Sequence, residues 1–218
     1  MAEIGVICGM VSEVRSLGSW ADDPRVLVAV SGARPARAEE LAQEFADRDV
    51  RLLLSWGIAG GLDPALATGD LLIASDVVML DDERRALAVP DQHPGRAGVF
   101  AGADEVIATV QEKLALRART GAVAVDMETH RLANIAYAAG IPCCAVRAIS
   151  DPADRALPAL AAGALGPDGR PMLGHVIRGL VRRPFELPGL LAAGRDSNKA
   201  LATLRAAVDP VFSQLLKG

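Results

Sequence analysis

Acidic residues and glycines gather at four places in this chain, each directly after a short apolar run. They are Gly9 and Met10 with Glu13, Gly57 to Gly61, Asp126-Met127-Glu128, and Ser150-Asp151. In an open α/β sheet ligands bind in the crevice beyond the carboxyl ends of the strands, so four such ends make a candidate site. The chemistry these residue types support is hydrolysis or group transfer driven by carboxylates. No G-x-S-x-G elbow occurs, and Cys8, Cys143 and Cys144 lie in apolar runs that disfavour a thiolate. His93, His130 and His175 are scattered, and Asp126 with His130 at i, i+4 lacks a third ligand, so no metal is expected.

Each segment also has a structural reading. GIAGGL (57–62) lets backbone N–H groups approach an anion or a sugar, or it is a tight strand-to-loop turn. Its glycines run G-x-x-G-G, which is not the dinucleotide fingerprint, and a Walker A loop is absent. Asp126 and Glu128 stand where a helix begins and can serve as caps. Asp151 precedes Pro152 and can be a turn residue, and Glu13 can be a solvated first-turn acid.

Short β-rich runs alternate with Ala-rich helical runs, the pattern of an α/β domain in which helices cover both faces of a mainly parallel, mixed sheet, three layers in all. Strands are expected at 4–8, 26–30, 52–55, 71–79, 98–103, 122–125 and 142–149, and helices at 35–47, 110–119 and 127–139. The chain reads as one domain, 1–218, with a Pro/Leu/Arg-rich stretch at 155–195. Within it Leu173, Val176, Ile177, Leu180 and Val181 form an apolar helical stripe flanked by Arg178, Arg182 and Arg183, ended by Pro184. A second apolar piece spans 185–194, and a final helix is expected at about 197–208. The stripe either docks on the core or meets a membrane surface.

With 51% hydrophobic and 23% charged residues the 218-residue chain has a full core, which excludes a disordered or fibrous protein. Its 3% aromatic content and net charge of −4 argue against a nucleic-acid partner. Three cysteines, two of them adjacent, suit a reducing cytoplasm. The start MAEIGVICGM carries no export signal, and the uncharged stretch 132–146 is broken by Gly140 and Pro142 and falls short of the ~20 residues of a bilayer span.

Three stretches together resemble the nucleoside phosphorylase and nucleosidase superfamily, typified by methylthioadenosine/S-adenosylhomocysteine nucleosidase and purine nucleoside phosphorylase. They are IGVICGMVSEV (4–14), SWGIAGGLDPALATGDLLIASDVV (55–78) and VAVDMETHRLANIAYAAGIPCCAVRAISDPAD (123–154). M-E combined with R-x-I-S-D discriminates more than any one motif. AVDMETHRLA and the trailing C-terminus are most similar to the hopanoid-associated branch, which removes adenine from adenosylhopane.

The resemblance implies cleavage of the N-glycosidic bond of an adenosine-type nucleoside, soluble or lipid-linked, by hydrolysis or phosphorolysis. It implies no cofactor, with phosphate as a possible co-substrate, and a homodimer that is cytoplasmic or peripheral at a membrane. By position Asp151 matches the acid that protonates purine N7, its pKa raised by burial, and Glu13 the residue that orients the attacking water. Glu128 matches the carboxylate on the ribose hydroxyls, Met127 the residue packed on the sugar, and Ala59 and Gly60 the backbone lining the pocket. Met10, Ser150 and Asp126 belong to the same matched stretches, Asp126 where nucleosidases have Glu. Ile58 replaces their usual serine. Val106 and Ile107 stand where a stacking Phe is common, so the base pocket is expected to be aliphatic. Arg34, Arg37 and Arg147 are the candidates for phosphate, or solvated helix and sheet charges. The rival readings are a soluble-substrate methylthioadenosine/S-adenosylhomocysteine nucleosidase and a non-catalytic nucleoside-binding or membrane-associated regulatory protein.

Overall fold

Five consecutive buried residues, Ile4–Cys8, form β1. In the computed structural model, which describes residues 2–163 and 165–217 without the side chains of 162, 173 and 175, β1 runs parallel to β2 (Val26–Val30) and to β3 (Leu52–Gly61). β3 continues through the glycine run expected to be a loop and pairs in parallel with β8 (Cys143–Asp151) along its length. β8 in turn pairs antiparallel with β4 (Leu71–Val78). β4 is parallel to β6 (Arg96–Gly102) and β6 to β7 (Ala124–Asp126), while β7 returns antiparallel to the end of β3. The pairings β3-β8-β4-β6-β7 thus close into a ring, with β1 and β2 extending from β3 and a short strand, β5 (Arg84–Ala86), outside β4.

Helices cover both faces, which is why the strands are apolar throughout rather than alternating. On one face α2 (Pro35–Ala46) and α4 (Thr129–Ala139) bury Ala38, Leu41, Phe45, Leu132 and Ala136. On the other lie α1 (Val11–Ser16) and α7 (Leu187–Leu215), the latter burying Leu204, Val208, Val211 and Phe212 against Trp56 and Val146. Phe212 packs 5.9 Å from Trp56 and 5.1 Å from Trp20, and burying one such ring stabilises by about 1.5–3 kcal/mol. α3 (Val110–Thr120) closes the end of the ring over Leu62, Ala101 and Val125.

Beyond β8 come α5 (Ala159–Ala162) and α6 (Leu173–Arg182), after which Pro184 opens a short turn that leads into α7. The separate apolar piece and final helix expected for the C-terminus are one 29-residue helix, and it runs past Val208 through Pro210. Tertiary packing of Val208, Val211 and Phe212 outweighs the hydrogen bond that the proline removes.

Candidate active site

The site begins where the sheet forks. β1 pairs with β3 as far as Ser55, and β7 joins the same edge only at Gly60. Between them the edge of β3 has no strand partner, and its backbone donors need other acceptors. Glu13, on the first turn of α1, supplies one: Oε1 accepts the Ile58 N–H at 2.8 Å, and Oε2 accepts the Met10 N–H at 2.8 Å. Glu13 is buried, not solvated. Burial raises its pKa against the pull of Arg147 and the backbone donors.

Arg147, from β8, fills the fork and is fully buried. Its Nε donates to Asp126 Oδ2 at 3.1 Å, and its Nη2 donates to Glu128 Oε2 at 3.1 Å and to Ser55 Oγ at 2.7 Å. Nη1 is buried with no partner among the described residues, beside Gly57. A Cβ at Gly57 would lie 2.3 Å from that nitrogen and 2.4 Å from Glu13 Oε1, so the glycine is there for space. Asp126 Oδ1 accepts the N–H groups of Glu128 and Thr129 at 2.8 and 2.7 Å, and Oδ2 also accepts from the Thr129 hydroxyl at 2.6 Å. The capping reading therefore accounts for both of its oxygens together with Arg147. Burial works against the Asp126 carboxylate, yet Arg147 and the Thr129 donors outweigh it and keep its pKa low.

Glu128 is different. Its Oε1 accepts from Ser31 Oγ at 3.3 Å and faces Gly9, whose absent Cβ would come within 2.8 Å. Burial pushes its pKa to about 7, Arg147 pulling against it and the charges of Asp126 and Glu13 adding to it. Around this buried cluster Met10, Ile58, Gly60 and Met127 are only half-buried, and they are the surfaces a ligand can touch.

The acid end lies farther along the same strands. The β3–β8 register is regular up to Ala59 opposite Ile149, and then Gly60 faces Asp151, so Ser150 is the extra residue of a bulge, a device that re-aims the next side chain. Ser150 Oγ lies 2.7 Å from Asp151 Oδ1 and 3.2 Å from the Ala59 carbonyl. Asp151 Oδ2 accepts from the buried ammonium of Lys113 at 2.6 Å. Burial raises the Asp151 pKa, as expected, against the pull of Lys113 and the Ser150 hydroxyl. A cavity of about 130 Å³ opens beside it, lined by Ser150, Asp151, Leu157 and Pro158 and by the small residues Ala192 and Ala193 of α7.

Glu13, Arg147, Asp126, Glu128 and Gly57 come together as one cluster, and Ser150, Asp151 and Gly60 as its neighbour along β3. Several expectations need correction. Gly57 to Gly61 is strand rather than loop, because β8 pairs with it as far as Gly60 and β7 pairs with Gly60 and Gly61. Val106 is 39% exposed and Ile107 packs on the core beneath α3, and the described lining of the cavity beside Asp151 consists of other residues. Of the phosphate candidates, Arg37 pairs with Glu40 at 2.8 Å, Arg147 donates to Asp126, Glu128 and Ser55, and Arg34 stands exposed at the start of α2. His130 turns away from Asp126 to Asp104 at 3.0 Å. The sequence reading missed Lys113, Ser55, Ser31 and Thr129. Among them Thr129, inside the M-E-T stretch, and Ser55, at the head of SWGIAGGL, stood within quoted motifs.

The apolar stripe of α6 splits. Val176 and Leu180 are half-buried, and the helix approaches Leu160 so closely that a Cβ on Gly179 would lie 2.3 Å from it. Ile177, Val181 and Phe185 are 63%, 81% and 76% exposed, beside the exposed Arg178, Arg182 and Arg183. The side chains of Leu173 and His175 lie outside the described residues. Among the described residues no helix is long and apolar enough to cross a membrane.

The chain belongs to the Phosphorylase superfamily, which it matches over residues 3–165. It is 30% identical over 132 residues to the aminodeoxyfutalosine nucleosidase of Helicobacter pylori (strain J99), a match covering 48% of this chain and 57% of that protein. It is 27% identical over 164 residues to the 5'-methylthioadenosine/S-adenosylhomocysteine nucleosidase of Baumannia cicadellinicola, covering 62% and 72%. The chain thus spans little more than half the length of the Helicobacter relative. Its fold is that of native futalosine hydrolase of Helicobacter pylori strain 26695, at a TM-score of 0.68, 18% identity, and coverage of 99% and 97%. A Helicobacter pylori MTAN mutant with 5'-methylthioadenosine in the active site superposes at 0.64, with 19% identity and coverage of 96% and 99%.

Proposed function

We propose that this protein hydrolyses the N-glycosidic bond of an adenosine-type nucleoside. The observation that carries the reading is the placement of two buried carboxyl groups at the ends of one four-residue stretch of β3: Glu13 against Gly57 and Asp151 against Gly60. Two residues of strand, Ile58 and Ala59, separate those glycines, a rise of about 10 Å over three steps. Breaking this bond places positive charge on the ribose and negative charge on the base, so a cleaving enzyme needs a proton at the base and a nucleophile at the sugar. Asp151, held up in pKa by burial, is suited to give its proton to the purine. Glu13 is suited to orient the water and accept its proton. Glu128, grouped with Glu13 around Arg147, is suited to meet the ribose hydroxyls, where its negative charge would stabilise the developing cation. The cavity beside Asp151 is of the order that admits one small aromatic ring.

Hydrolysis fits better than phosphorolysis on electrostatic grounds. Glu13, Asp126 and Glu128 surround a single guanidinium, and a phosphate dianion brought among them would meet more negative charge than positive. The names of the relatives, nucleosidases for aminodeoxyfutalosine and for methylthioadenosine/S-adenosylhomocysteine, support the same reaction class. Release of adenine by wild type, and its loss in Asp151→Asn and Glu13→Gln, tests this against a non-catalytic nucleoside-binding role, which would survive both changes.

One observation favours a lipid-linked nucleoside, with adenosylhopane the best candidate, over a soluble one. The exposed face of Ile177, Val181 and Phe185 beside three arginines has the make-up of a segment that rests in the headgroup boundary of an anionic bilayer. An enzyme acting on an insoluble aglycone must meet its substrate at such a surface, so this reading makes the protein peripheral, and a homodimer by family likeness. Deleting 171–195 would remove the start of α7 with Ala192 and Ala193, which line the cavity beside Asp151. Serine substitutions at Ile177, Val181 and Phe185 are the cleaner test: activity on lipid-linked substrate in liposomes falls while cleavage of soluble nucleosides is kept. Equal loss of both sinks the lipid reading and leaves the soluble nucleosidase.

A further inference from the structure

Lys113 is the one lysine among the described residues that is completely buried, and it lies on a helix whose sequence reads as polar and solvated. An ammonium out of water is costly unless its three N–H groups are all used. Here they are: one reaches Asp151 Oδ2 at 2.6 Å, and the others reach the carbonyls of Pro152 and Arg155, both at 2.9 Å. Two carbonyls in the turn that follows β8 and the carboxylate at its head thus converge on one cation from a different element. The other charges nearby are already paired. Arg155 pairs with Asp196 at the cavity rim, Arg117 one turn along α3 with Asp63 at 2.7 Å, and Arg147 four residues back on β8 with Asp126 and Glu128 at 3.1 Å. Glu112, adjacent on α3, caps that helix at Thr109.

We propose that Lys113 is a positioning residue for the reaction: its buried ammonium fixes the orientation of the Asp151 carboxyl, holds back its protonation, and ties the 151–155 turn to α3. This deepens the nucleosidase reading and rests on it. A strut for the turn alone would need only the two carbonyl bonds, and the third is the shortest of the set. The consequence is a proton acid under tension between two neighbours. Burial drives Asp151 toward the protonated form that a purine needs, while Lys113 favours the anion. In the reaction the carboxyl proton passes to the purine nitrogen as the bonding pair leaves with the base. The carboxylate left behind is then stabilised by the ammonium already in contact with it, and solvent re-protonates it after the products leave.

The test uses Lys113→Gln, which keeps a donor but no charge, and Lys113→Met, which keeps neither. Asp151 acts protonated, so activity falls as pH rises through its pKa. Without the cation that alkaline limb of kcat/KM moves up by about one pH unit or more in both variants, and the ratio of variant to wild-type kcat/KM rises about tenfold across it. In parallel, the Asp151 carboxyl, assigned by ¹³C NMR against Asp151→Asn, titrates at higher pH in Lys113→Gln than in wild type. A constant activity ratio across pH, or an unmoved Asp151 titration, overturns the proposal and leaves Lys113 a structural strut. Wild type that releases no base from any nucleoside would sink the nucleosidase reading instead, while the NMR titration would still decide what Lys113 does to Asp151. If Lys113→Met fails to fold, Lys113→Gln carries both measurements.

Discussion

Gly57→Ala adds one methyl group at the place where the fork is tightest. The new Cβ would lie 2.3 Å from Arg147 Nη1 and 2.4 Å from Glu13 Oε1, closer than real Cβ contacts come, and neither neighbour is free to yield. Glu13 is held by two backbone N–H groups and Arg147 by Asp126, Glu128 and Ser55. Overpacking of a filled core costs about 1–3 kcal/mol, and disturbing a buried ion pair adds to that, so a loss of roughly 2–4 kcal/mol is expected. For a domain of this size 1 kcal/mol corresponds to about 2–4 °C in Tm, which puts the drop at about 4–16 °C. Activity should suffer separately, because displacing a group that orients a nucleophile by about 1 Å costs on the order of a hundredfold. Thermal melts and the rate of base release read the two effects. Gly194→Ala, in α7 with nothing within 4 Å of the new methyl, is the control and should stabilise by about 0.5–1 kcal/mol. A Gly57→Ala protein that melts and turns over like wild type would refute the packing of Arg147 and Glu13 described here.

Other outcomes follow from the same cluster. Arg147→Met leaves Asp126 and Glu128 buried without their cation and should cost about 3–5 kcal/mol in urea unfolding; a change below 1 kcal/mol would contradict the burial of this pair. The Glu128 carboxyl titrates near pH 7 folded but at about 4.5 unfolded, so the folded state binds the extra proton in that window and wild-type stability falls as pH rises through it. Glu128→Gln, which cannot ionise, should flatten the fall in Tm between pH 5 and pH 7.5. Asp151→Asn should lower kcat by about 10²–10⁴ while keeping the fold, the range for loss of a positioned acid. The serine triple variant at Ile177, Val181 and Phe185 changes side chains already exposed to water, so its stability should stay within about 0.5 kcal/mol of wild type.

The elements with strong local signals were legible in the sequence. β1, β2, α2, α4 and β8 are marked by unbroken apolar runs or helical periodicity, with Pro35 opening α2 and Gly140 closing α4. The Gly57–Gly61 stretch was not, since glycine-rich composition signals a loop, whereas here β8 supplies a parallel partner that no local pattern announces. The same long-range cause hid Lys113. It is a lysine in a helix rich in charged residues, and its burial depends on carbonyls and a carboxylate 38 to 42 residues away. Asp126, Glu128, Glu13 and Asp151 stood out by type and spacing, and roles for Asp151, Glu13 and Glu128 came from the family resemblance, but the different environments of Asp126 and Glu128 had no sequence signal. That Asp126 is a cap and guanidinium partner while Glu128 is the carboxyl raised to about 7 depends on which oxygen meets which donor. The cavity beside Asp151 draws part of its wall from α7, which folds back onto β8 from the far end of the chain, a contact no local pattern announces.

The central claim is that this cluster cleaves an N-glycosidic bond with water. The direct measurement is product analysis after incubating the protein with adenosine-type nucleosides, soluble and lipid-linked, with and without phosphate. Free adenine together with the free sugar in the absence of phosphate is the predicted result. Release that strictly requires phosphate and yields ribose 1-phosphate would contradict the hydrolytic assignment, and no base release from any adenosyl compound would contradict the account as a whole.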